Sequence, residues 1–324
     1  MARQISIAMD RYDRHMPFFD GTVKAPDGFT YKALQVGQSD VLRDGTDRHG
    51  EMIHHARYDV AEFSMSTFLM AIDRGVPLIG VPVFPRRLFS QSCMFVHADS
   101  DIRHPRDLVG RRVGISSFQT TLSLLAKGDL KFEYGVDWER IRWLVTTSEK
   151  VAFEPKAGVV IEHAPKGTDL GLLLQSGDID AIFLPHPPKS VTSGEVRTRR
   201  LFADTAAEER RYFEANGYWP IMHVLAMHPD LAREMPDLPA ALMDMFAQAH
   251  RIADDYYSDP NWSQLPDIRL LYEESRVAFG NPWKNGFAAN RANLERFIAY
   301  SHDQGLIGER YGAERLFVAS TLST

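Results

Sequence analysis

Residues 59–87 read DVAEFSMSTFLMAIDRGVPLIGVPVFPRR and predict a strand, a helix and a second strand in close succession. The stretch at 59–66 predicts a strand that runs into a turn, 67–75 predicts a short helix, and 76–84 predicts another strand. Short apolar strands that alternate with helices are typical of α/β domains. The class of fold therefore follows from this stretch, provided that the rest of the chain repeats its pattern.

The same alternation recurs on both sides of this stretch. Further strands are predicted at 5–9, 29–37, 92–98, 111–115, 141–146, 181–185 and 217–229. Further helices are predicted at 49–58, 122–130, 169–179, 238–257 and 286–306. We therefore predict an α/β protein with mostly parallel sheets, and we find no internal repeat, low-complexity segment or flexible linker that divides it.

Two apolar strands, near 92–98 and 219–227, bracket a compact α/β middle part of the chain. This arrangement predicts two lobes, of which one is discontinuous. Residues 1–95 and 225–324 would form the first lobe, residues 96–224 would form an inserted second lobe, and the two crossings would act as a hinge. Ligands of such proteins bind between the domains, near the carboxyl ends of strands.

The composition excludes several classes of function. The chain has 324 residues, a net charge of −6, 44% hydrophobic and 25% charged residues, which is ordinary for a soluble globular protein. Its longest basic run, at 197–200, is too short for a nucleic-acid footprint and predicts a solvated loop. Cys93 is the single cysteine, so no internal disulfide can form. No apolar run is long enough to cross a membrane.

The first thirteen residues, MARQISIAMDRYD, lack the charged and apolar regions of a signal peptide. We therefore expect a cytoplasmic location. Motifs for phosphate loops, dinucleotides, nucleophile elbows and zinc proteases are absent, and His15, His54 and His55 show no spacing typical of metal ligands. We expect neither a metal nor an organic cofactor.

Functional side chains are expected where predicted strands end or helices begin. These residues are Asp10, Arg11, Ser64, Ser66, Arg86, Arg87, Ser116, Phe118, Gln119, Thr120, Thr121, His186 and His223. Arginine matches a carboxylate with two hydrogen bonds, and the start of a helix can hold an anion. Each has a structural alternative: serine and threonine cap helices, histidines support packing, and the arginines could pair with the protein's own carboxylates.

Several segments resemble the 4,5-dihydroxyphthalate decarboxylase family, which is related to the type-2 periplasmic (NMT1/THI5-like) substrate-binding proteins. They are DVAEFSMSTFLMA (59–71), PLIGVPVFPRRLF (77–89), DLVGRRVGI (107–115), SGDIDAIFLPHPP (176–188), GYWPIMHV (217–224) and NRANLERFIAYSHDQGL (290–306). The most specific parts are FPRR, PIMH and YSHDQGL. The resemblance spans nearly the whole chain and implies a two-lobed fold with a hinge and a cleft between the lobes.

The resemblance also implies a lyase that removes carbon dioxide from a hydroxylated aromatic acid, 4,5-dihydroxyphthalate or a close analogue. The chain departs from the family pattern at Gln91, where the family has a histidine, and at Ser117, where it has a glutamate. Both departures would fall near the cleft, so a related enzyme for a different acid is an alternative. A non-catalytic binding protein for an aromatic or other organic anion is another.

On this hypothesis the site residues divide into three groups. Arg86 and Arg87 would clamp the substrate carboxylate, while residues 116–121 would hold a second polar group from the other lobe. His223 or His186 would be the general acid, because imidazole is best suited to proton transfer near neutral pH. Asp10 or Arg11 would contact the phenol end. The expected partner is a small aromatic carboxylate, without nucleic acid or membrane, and an enzyme of this size is compatible with a homo-oligomer.

Overall fold

The computed structural model describes residues 2–36 and 47–324, whose strands form two sheets. The strands are β1 (Arg3–Met9), β2 (Phe29–Gln35), β3 (Val60–Ser64), β4 (Ile79–Val81), β5 (Met94–His97), β6 (Arg112–Ile115), β7 (Arg142–Val145), β8 (Val160–His163), β9 (Ala181–Phe183), β10 (Thr198–Arg200) and β11 (His223–Met227). The helices are α1 (Met16–Phe19), α2 (Arg48–His55), α3 (Met65–Asp73), α4 (Thr121–Phe132), α5 (Leu170–Ser176), α6 (Lys189–Thr192), α7 (Thr205–Asn216), α8 (Pro229–Glu234), α9 (Leu238–Ser258), α10 (Ile268–Phe279) and α11 (Phe287–Asp303).

Contacts between Cα atoms divide the chain into two units. Unit 1 comprises Met1–Arg87, Ile221–Leu294 and Gly312–Thr324, and unit 2 comprises Leu88–Pro220 and Glu295–Tyr311. Each unit is built around one sheet. The sequence placed the crossings at 95/96 and 224/225, whereas these units meet at 87/88 and 220/221, and unit 2 also takes in the end of α11.

The sheet of unit 1 has the strand order β2-β1-β3-β11-β4. Strand β1 pairs in parallel with β2 and β3, and β11 lies antiparallel between β3 and β4. All five residues of β11 are buried, as expected of an apolar central strand. On one face of the sheet Leu225 and Met227 join a core that includes Leu242 and Phe246 of α9. The returning chain thus completes the sheet that the first segment begins.

The sheet of unit 2 has the strand order β10-β5-β9-β6-β7-β8. Strand β6 pairs in parallel with β7 and β9, and β7 with β8, whereas β5 is antiparallel to both β9 and β10. Both sheets are therefore mixed, but among the described residues each has a single reversed strand, so most strands of each sheet run in the same direction, as predicted. The reversed strands are β5 in unit 2 and β11 in unit 1, whereas β10, which is antiparallel to β5, runs in the same direction as β9. Strands β5 and β11 follow the two crossings, so they join their sheets without a preceding strand–helix repeat.

A buried carboxyl group lies in the interior of unit 2 and is surrounded by hydroxyl groups. Asp129 of α4 accepts hydrogen bonds from the hydroxyl groups of Ser90, Tyr212 and Tyr300, at 2.6, 3.2 and 3.1 Å. Burial raises the pKa of Asp129 to about 7, although these hydroxyl groups act in the opposite direction. The preceding residue, Gly128, is so close to the ring of Tyr300 that a Cβ atom would lie 2.0 Å from it.

Seven elements of the described residues have no counterpart in the sequence prediction: the strands β8 and β10 and the helices α1, α6, α7, α8 and α10. The basic run at 197–200 was expected to be a solvated loop, but most of it forms the edge strand β10. Arg199 is engaged there, because its guanidinium group donates to the carbonyl oxygen of Ile102 at 2.6 Å. Gly37, the last residue of the strand predicted at 29–37, lies outside the described residues. Within the part of the chain that the structure describes, no helix is long and apolar enough to cross a membrane.

Candidate active site

Three strands of unit 1 bring acidic and basic side chains to one edge of the sheet. Asp10 follows the carboxyl end of β1, Glu62 lies in β3, and His223 begins the antiparallel strand β11. His223 is paired in register with Ser64, two residues after Glu62. The chain topology therefore places Asp10, Glu62 and His223 side by side, although they are far apart in sequence.

Glu62 is the centre of this group. Its side chain is fully buried, and it accepts hydrogen bonds from the hydroxyl of Tyr12 and the backbone N–H of Asp10, both at 2.9 Å. It is also bonded to Nδ1 of His223. Burial by itself would raise the pKa of Glu62, but Arg48 and His223 outweigh burial and hold this pKa well below its usual range. Glu62 is therefore a buried carboxylate anion.

His223 is a neutral imidazole at pH 7. Burial lowers its pKa to about 4, although the negative charge of Glu62 acts in the opposite direction. An ionised carboxylate can only accept hydrogen bonds, so Nδ1 must be the donor toward Glu62. Nε2 then carries the lone pair and is the atom of the ring that can exchange a proton with a ligand.

Asp10 shares the positive charge of Arg48 with Glu62. Its Oδ2 atom lies 3.3 Å from the hydroxyl of Tyr12 and 3.5 Å from Arg48. Burial, together with the charge of Glu62, raises the pKa of Asp10, while Arg48 and Arg86 lower it. Its Oδ1 atom is buried and makes no hydrogen bond with the residues that the structure describes.

Arg48 fixes this arrangement from α2. It is fully buried and donates to the carbonyl oxygens of Glu62 and Val36, at 2.7 and 2.6 Å. Because its bonds run to the backbone of β3 and to the residue after β2, it links the strand that presents Glu62 to the end of β2, and these two strands flank β1, which Asp10 follows. Its guanidinium group also neutralises part of the charge of the two carboxyl groups.

The two adjacent arginines have different surroundings. Arg87 is buried and donates to the carbonyl oxygen of Lys284 and to Oδ1 of Asn290, at 2.8 and 2.7 Å. Burial lowers its pKa to about 9. Arg86 is only half-buried, and its charge lowers the pKa of both Asp10 and His223. Two bonds of Arg87 thus run to the protein itself, and the clamping of a ligand by both arginines stays a prediction.

Three further predicted residues of unit 1 lie around this group. Ser64 is half-buried, and its backbone N–H donates to Nε2 of His49 at 3.2 Å. Ser66 is buried in the first turn of α3. Arg11 is exposed, with Nε 3.0 Å from the sulfur of Met16. Ser64 is therefore tied to the site through its backbone, whereas Arg11 is bonded to the residue that begins α1.

In unit 2 the segment before α4 is already satisfied by the protein. The backbone N–H groups of Phe118 and Gln119 donate to the carboxylate of Glu149, at 2.6 and 3.1 Å. The side-chain amide of Gln119 bonds both the carbonyl oxygen and the N–H of Val151, at 3.0 and 3.1 Å. Ser116 is half-buried, with its hydroxyl 3.3 Å from that of Thr147. The N–H groups of Phe118 and Gln119 are thus occupied by Glu149, and the anion site predicted at this helix start stays a prediction.

Phe118 belongs to the core of unit 2, which corrects its expected role in binding. It is 1% exposed, its ring stacks on Phe153, and Nζ of the buried Lys127 lies 2.9 Å from the centre of the ring. The hydroxyl of Thr120 lies 2.7 Å from that of Ser123, and Thr121 is buried at the start of α4. The side chains of Phe118 and Thr121 are thus buried in unit 2 beside the start of α4.

His186 belongs to a different unit from the other predicted catalytic residues. It is exposed among prolines after β9 and belongs to unit 2, whereas Asp10 and His223 belong to unit 1. Gln91, one of the departures from the family pattern, is fully buried and donates to the hydroxyl of Tyr134 at 3.0 Å. Ser117, the other departure, is also buried.

The sequence prediction missed Glu62 and Arg48. The signal for Glu62 was present, because an acidic residue in the middle of the apolar strand VAEFS is costly to bury without a partner. Arg48 gave no such signal, since it stands in a polar stretch. Across residues 2–36 and 47–324, no three His, Cys, Asp or Glu side chains are gathered so that they could hold a metal ion.

Comparison with known proteins agrees with this architecture. A family model described as NMT1/THI5 like matches residues 43–152. The aliphatic sulphonate binding protein SsuA of Escherichia coli has the same fold, with a TM-score of 0.61 and 12% identity over 100% of both chains. A mutant of the desulfurization enzyme DSZB in complex with biphenyl-2-sulfinic acid gives a TM-score of 0.57 and 17% identity over 98% of this chain and 97% of that one. The predicted α/β fold of type-2 periplasmic binding proteins is confirmed.

Two sequence relatives are decarboxylases. The 4,5-dihydroxyphthalate decarboxylase of Pseudomonas putida is 29% identical over 66% of this chain and 83% of its own length. That of Comamonas testosteroni is 33% identical over 99% of this chain and 98% of its own length. The alignment therefore spans both units and every residue of the site described above. The chain belongs to the 4,5-dihydroxyphthalate decarboxylase family.

Proposed function

We propose that the protein is a carboxy-lyase that removes one carboxylate, as carbon dioxide, from 4,5-dihydroxyphthalate or a close analogue. The observation that carries this proposal is the buried pair of Glu62 and His223, in which an anionic carboxylate orients a neutral imidazole. A protein that only binds an anion has no need of such a pair. Family membership supports the same reaction class.

The reaction requires a proton at the ring carbon that carries the leaving carboxylate. The carbon–carbon bond then breaks, its electron pair restores the aromatic ring, and the products are carbon dioxide and an arene with a hydrogen at that carbon. A hydroxyl group para to this carbon stabilises the protonated ring by donating electron density. The protein must therefore hold the acid, supply one proton and support the charge of the ring.

His223 is the proposed general acid, and the bound substrate would favour the protonated form that a general acid needs. In the free protein His223 is neutral, because burial lowers its pKa to about 4. A dianionic aromatic acid bound beside the ring adds negative charge, which raises this pKa and favours uptake of a proton at Nε2. Glu62 would stabilise the resulting imidazolium through Nδ1.

Arg86 is the proposed partner of the substrate carboxylate. It is the half-buried member of the arginine pair and its charge acts on Asp10 and His223, so an anion bound to it would lie near the proton donor. Arg87 supports this role only indirectly, through its bonds to Lys284 and Asn290. The complex of DSZB with an aromatic sulfinic acid supports an aromatic anion as a ligand class for this fold.

The test is release of carbon dioxide by the purified protein from 4,5-dihydroxyphthalate, 4-hydroxyphthalate, phthalate and a set of hydroxybenzoates. We expect release from 4,5-dihydroxyphthalate, and equal rates with and without a chelator. Release only from another acid would keep the reaction class and change the substrate. Tight binding without release from any compound would instead support the alternative, a binding protein for an organic anion. The cytoplasmic location and a homo-oligomeric state stay predictions.

A further inference from the structure

One buried oxygen of the site lacks a hydrogen-bond partner. Asp10 is 3% exposed, and its Oδ1 atom makes no hydrogen bond within residues 2–36 and 47–324. Its Oδ2 atom, by contrast, is within reach of Tyr12 and Arg48. Buried carboxylate oxygens in native proteins are nearly always bonded, so an unbonded one indicates a place that a ligand or a water fills.

The surroundings of Oδ1 restrict what that ligand can be. A carboxylate oxygen can only accept, and Glu62 adds a second negative charge close by. Another carboxylate is therefore repelled, whereas a neutral O–H group can donate to Oδ1. The anionic end of an aromatic acid can instead bind to Arg86, whose positive charge is close enough to act on Asp10.

We infer that Oδ1 of Asp10 accepts a hydrogen bond from a ring hydroxyl of the substrate, which makes Asp10 the residue that distinguishes hydroxylated from plain aromatic acids. This inference rests on the proposed function and specifies its hydroxyl contact. A ligand without the hydroxyl leaves the buried oxygen unpaired, and sites of this kind reject such analogues strongly. The same hydrogen bond draws the hydroxyl proton toward Asp10 and so increases the electron density of the ring.

The test measures binding of two ligands that lack the leaving carboxylate of phthalate: 3,4-dihydroxybenzoate, which is what 4,5-dihydroxyphthalate becomes on losing one carboxylate, and benzoate. Titration calorimetry is carried out on the unaltered chain, on Asp10→Asn and on Asp10→Ala. Asp13→Asn is the matched control, because Asp13 is an exposed aspartate three residues away. Thermal unfolding of each variant shows whether it is folded.

We expect Asp10→Ala to bind 3,4-dihydroxybenzoate about 10- to 100-fold more weakly, since a hydrogen bond to a charged group is lost, and Asp10→Asn to lose less affinity, because its amide oxygen still accepts a hydrogen bond. Affinity for benzoate should stay within about 3-fold, or increase as a negative charge is removed, and Asp13→Asn should change neither value. Equal losses for the two ligands, no loss for either, or no binding of 3,4-dihydroxybenzoate to the unaltered chain would each overturn the inference. Because this is a binding measurement, failure of the decarboxylase proposal would appear separately, as absence of carbon dioxide release.

Discussion

Glu62 orients His223 through the bond to Nδ1, and we expect substitutions of the two residues to have different effects on catalysis. His223→Gln removes the proton donor while keeping a side chain of similar size. We expect kcat to fall by about 10²- to 10⁴-fold, with the dissociation constant for 3,4-dihydroxybenzoate within about 5-fold of the unaltered value. The control is His54→Gln, at an exposed position of α2. Full turnover by His223→Gln would remove this residue from the mechanism.

Glu62→Gln tests positioning rather than proton transfer. The amide can still accept from Nδ1, but the negative charge that stabilises the imidazolium is lost. We expect the pKa of His223 to fall further, so that the pH at which kcat is half-maximal moves to a lower value. The measurement is the pH dependence of kcat, with Glu51→Gln in α2 as the control. An unchanged pH profile would show that Glu62 only supports the fold.

Arg86 and Arg87 allow a proposed ligand contact to be compared with a contact inside the protein. Arg86→Met should weaken binding of benzoate by about 10-fold or more, because the carboxylate loses a charge-assisted partner. Arg87→Met should mainly lower the melting temperature, since it breaks the bonds to Lys284 and Asn290. Titration and thermal unfolding are measured on both variants. If Arg87→Met weakened binding more than Arg86→Met, the two roles would be reversed.

The sequence predicted Asp10, Arg86 and His223 because each follows or begins an apolar segment at the edge of the sheet. It did not predict that Glu149 occupies the N–H groups of Phe118 and Gln119. That contact joins residues about thirty positions apart, and no periodicity or motif reveals such a pairing. Polar groups before a helix look the same in sequence whether a ligand or the protein itself satisfies them.

At the scale of elements, the packing of α4 against α11 depends on Gly128. A methyl group there would lie 2.0 Å from the ring of Tyr300, which cannot move freely because its hydroxyl is bonded to Asp129. We expect Gly128→Ala to destabilise the protein by about 1–3 kcal/mol or more, measured by chemical unfolding. Combined with Tyr300→Ala, the loss should be smaller than the sum of the single losses. Additive losses would mean that the ring and the glycine do not constrain each other.

Helices α9 and α11 were predicted correctly, and α9 shows the apolar periodicity on which such a prediction depends. The elements that were missed have a physical reason in common. Helix α10 has no buried residue, and α7 has only one, so neither packs an apolar face into the core of its unit. The short edge strands β8 and β10 carry charged residues, which blunt a sheet edge but also hide it from a reading based on hydrophobicity.

At the scale of the whole molecule, acid should act on the two units in opposite directions. In unit 1 burial lowers the pKa of His15 and His223 to about 4, and that of His49 and His250 to about 3. Below about pH 6.5 the unfolded chain takes up protons that the folded unit cannot, so stability falls as the pH is lowered toward 4. Asp129 of unit 2 has a raised pKa, so its contribution is greatest at low pH and is lost as the pH rises through about 7.

Hydrogen exchange at pH 7 and pH 5, corrected for the intrinsic rate of exchange, measures this difference. We expect the protection of β1, β3 and β11 to fall at pH 5 by more than that of α4 and α11. Asp129→Asn should reduce the pH response of unit 2 and leave that of unit 1 unchanged. Equal loss of protection in both units would contradict the assignment of the buried groups.

The position of β11 between β3 and β4 also determines the order in which the molecule can form during synthesis. The first four strands of unit 1 leave the ribosome long before residues 223–227. Strands β3 and β4 do not pair with each other, because each of them pairs with β11, which lies between them. The whole of β5–β10 is made in that interval. Until then the nascent chain exposes two unpaired apolar strand edges, a state in which chains associate with one another and engage chaperones. The site that depends on His223 is thus assembled among the last steps of folding.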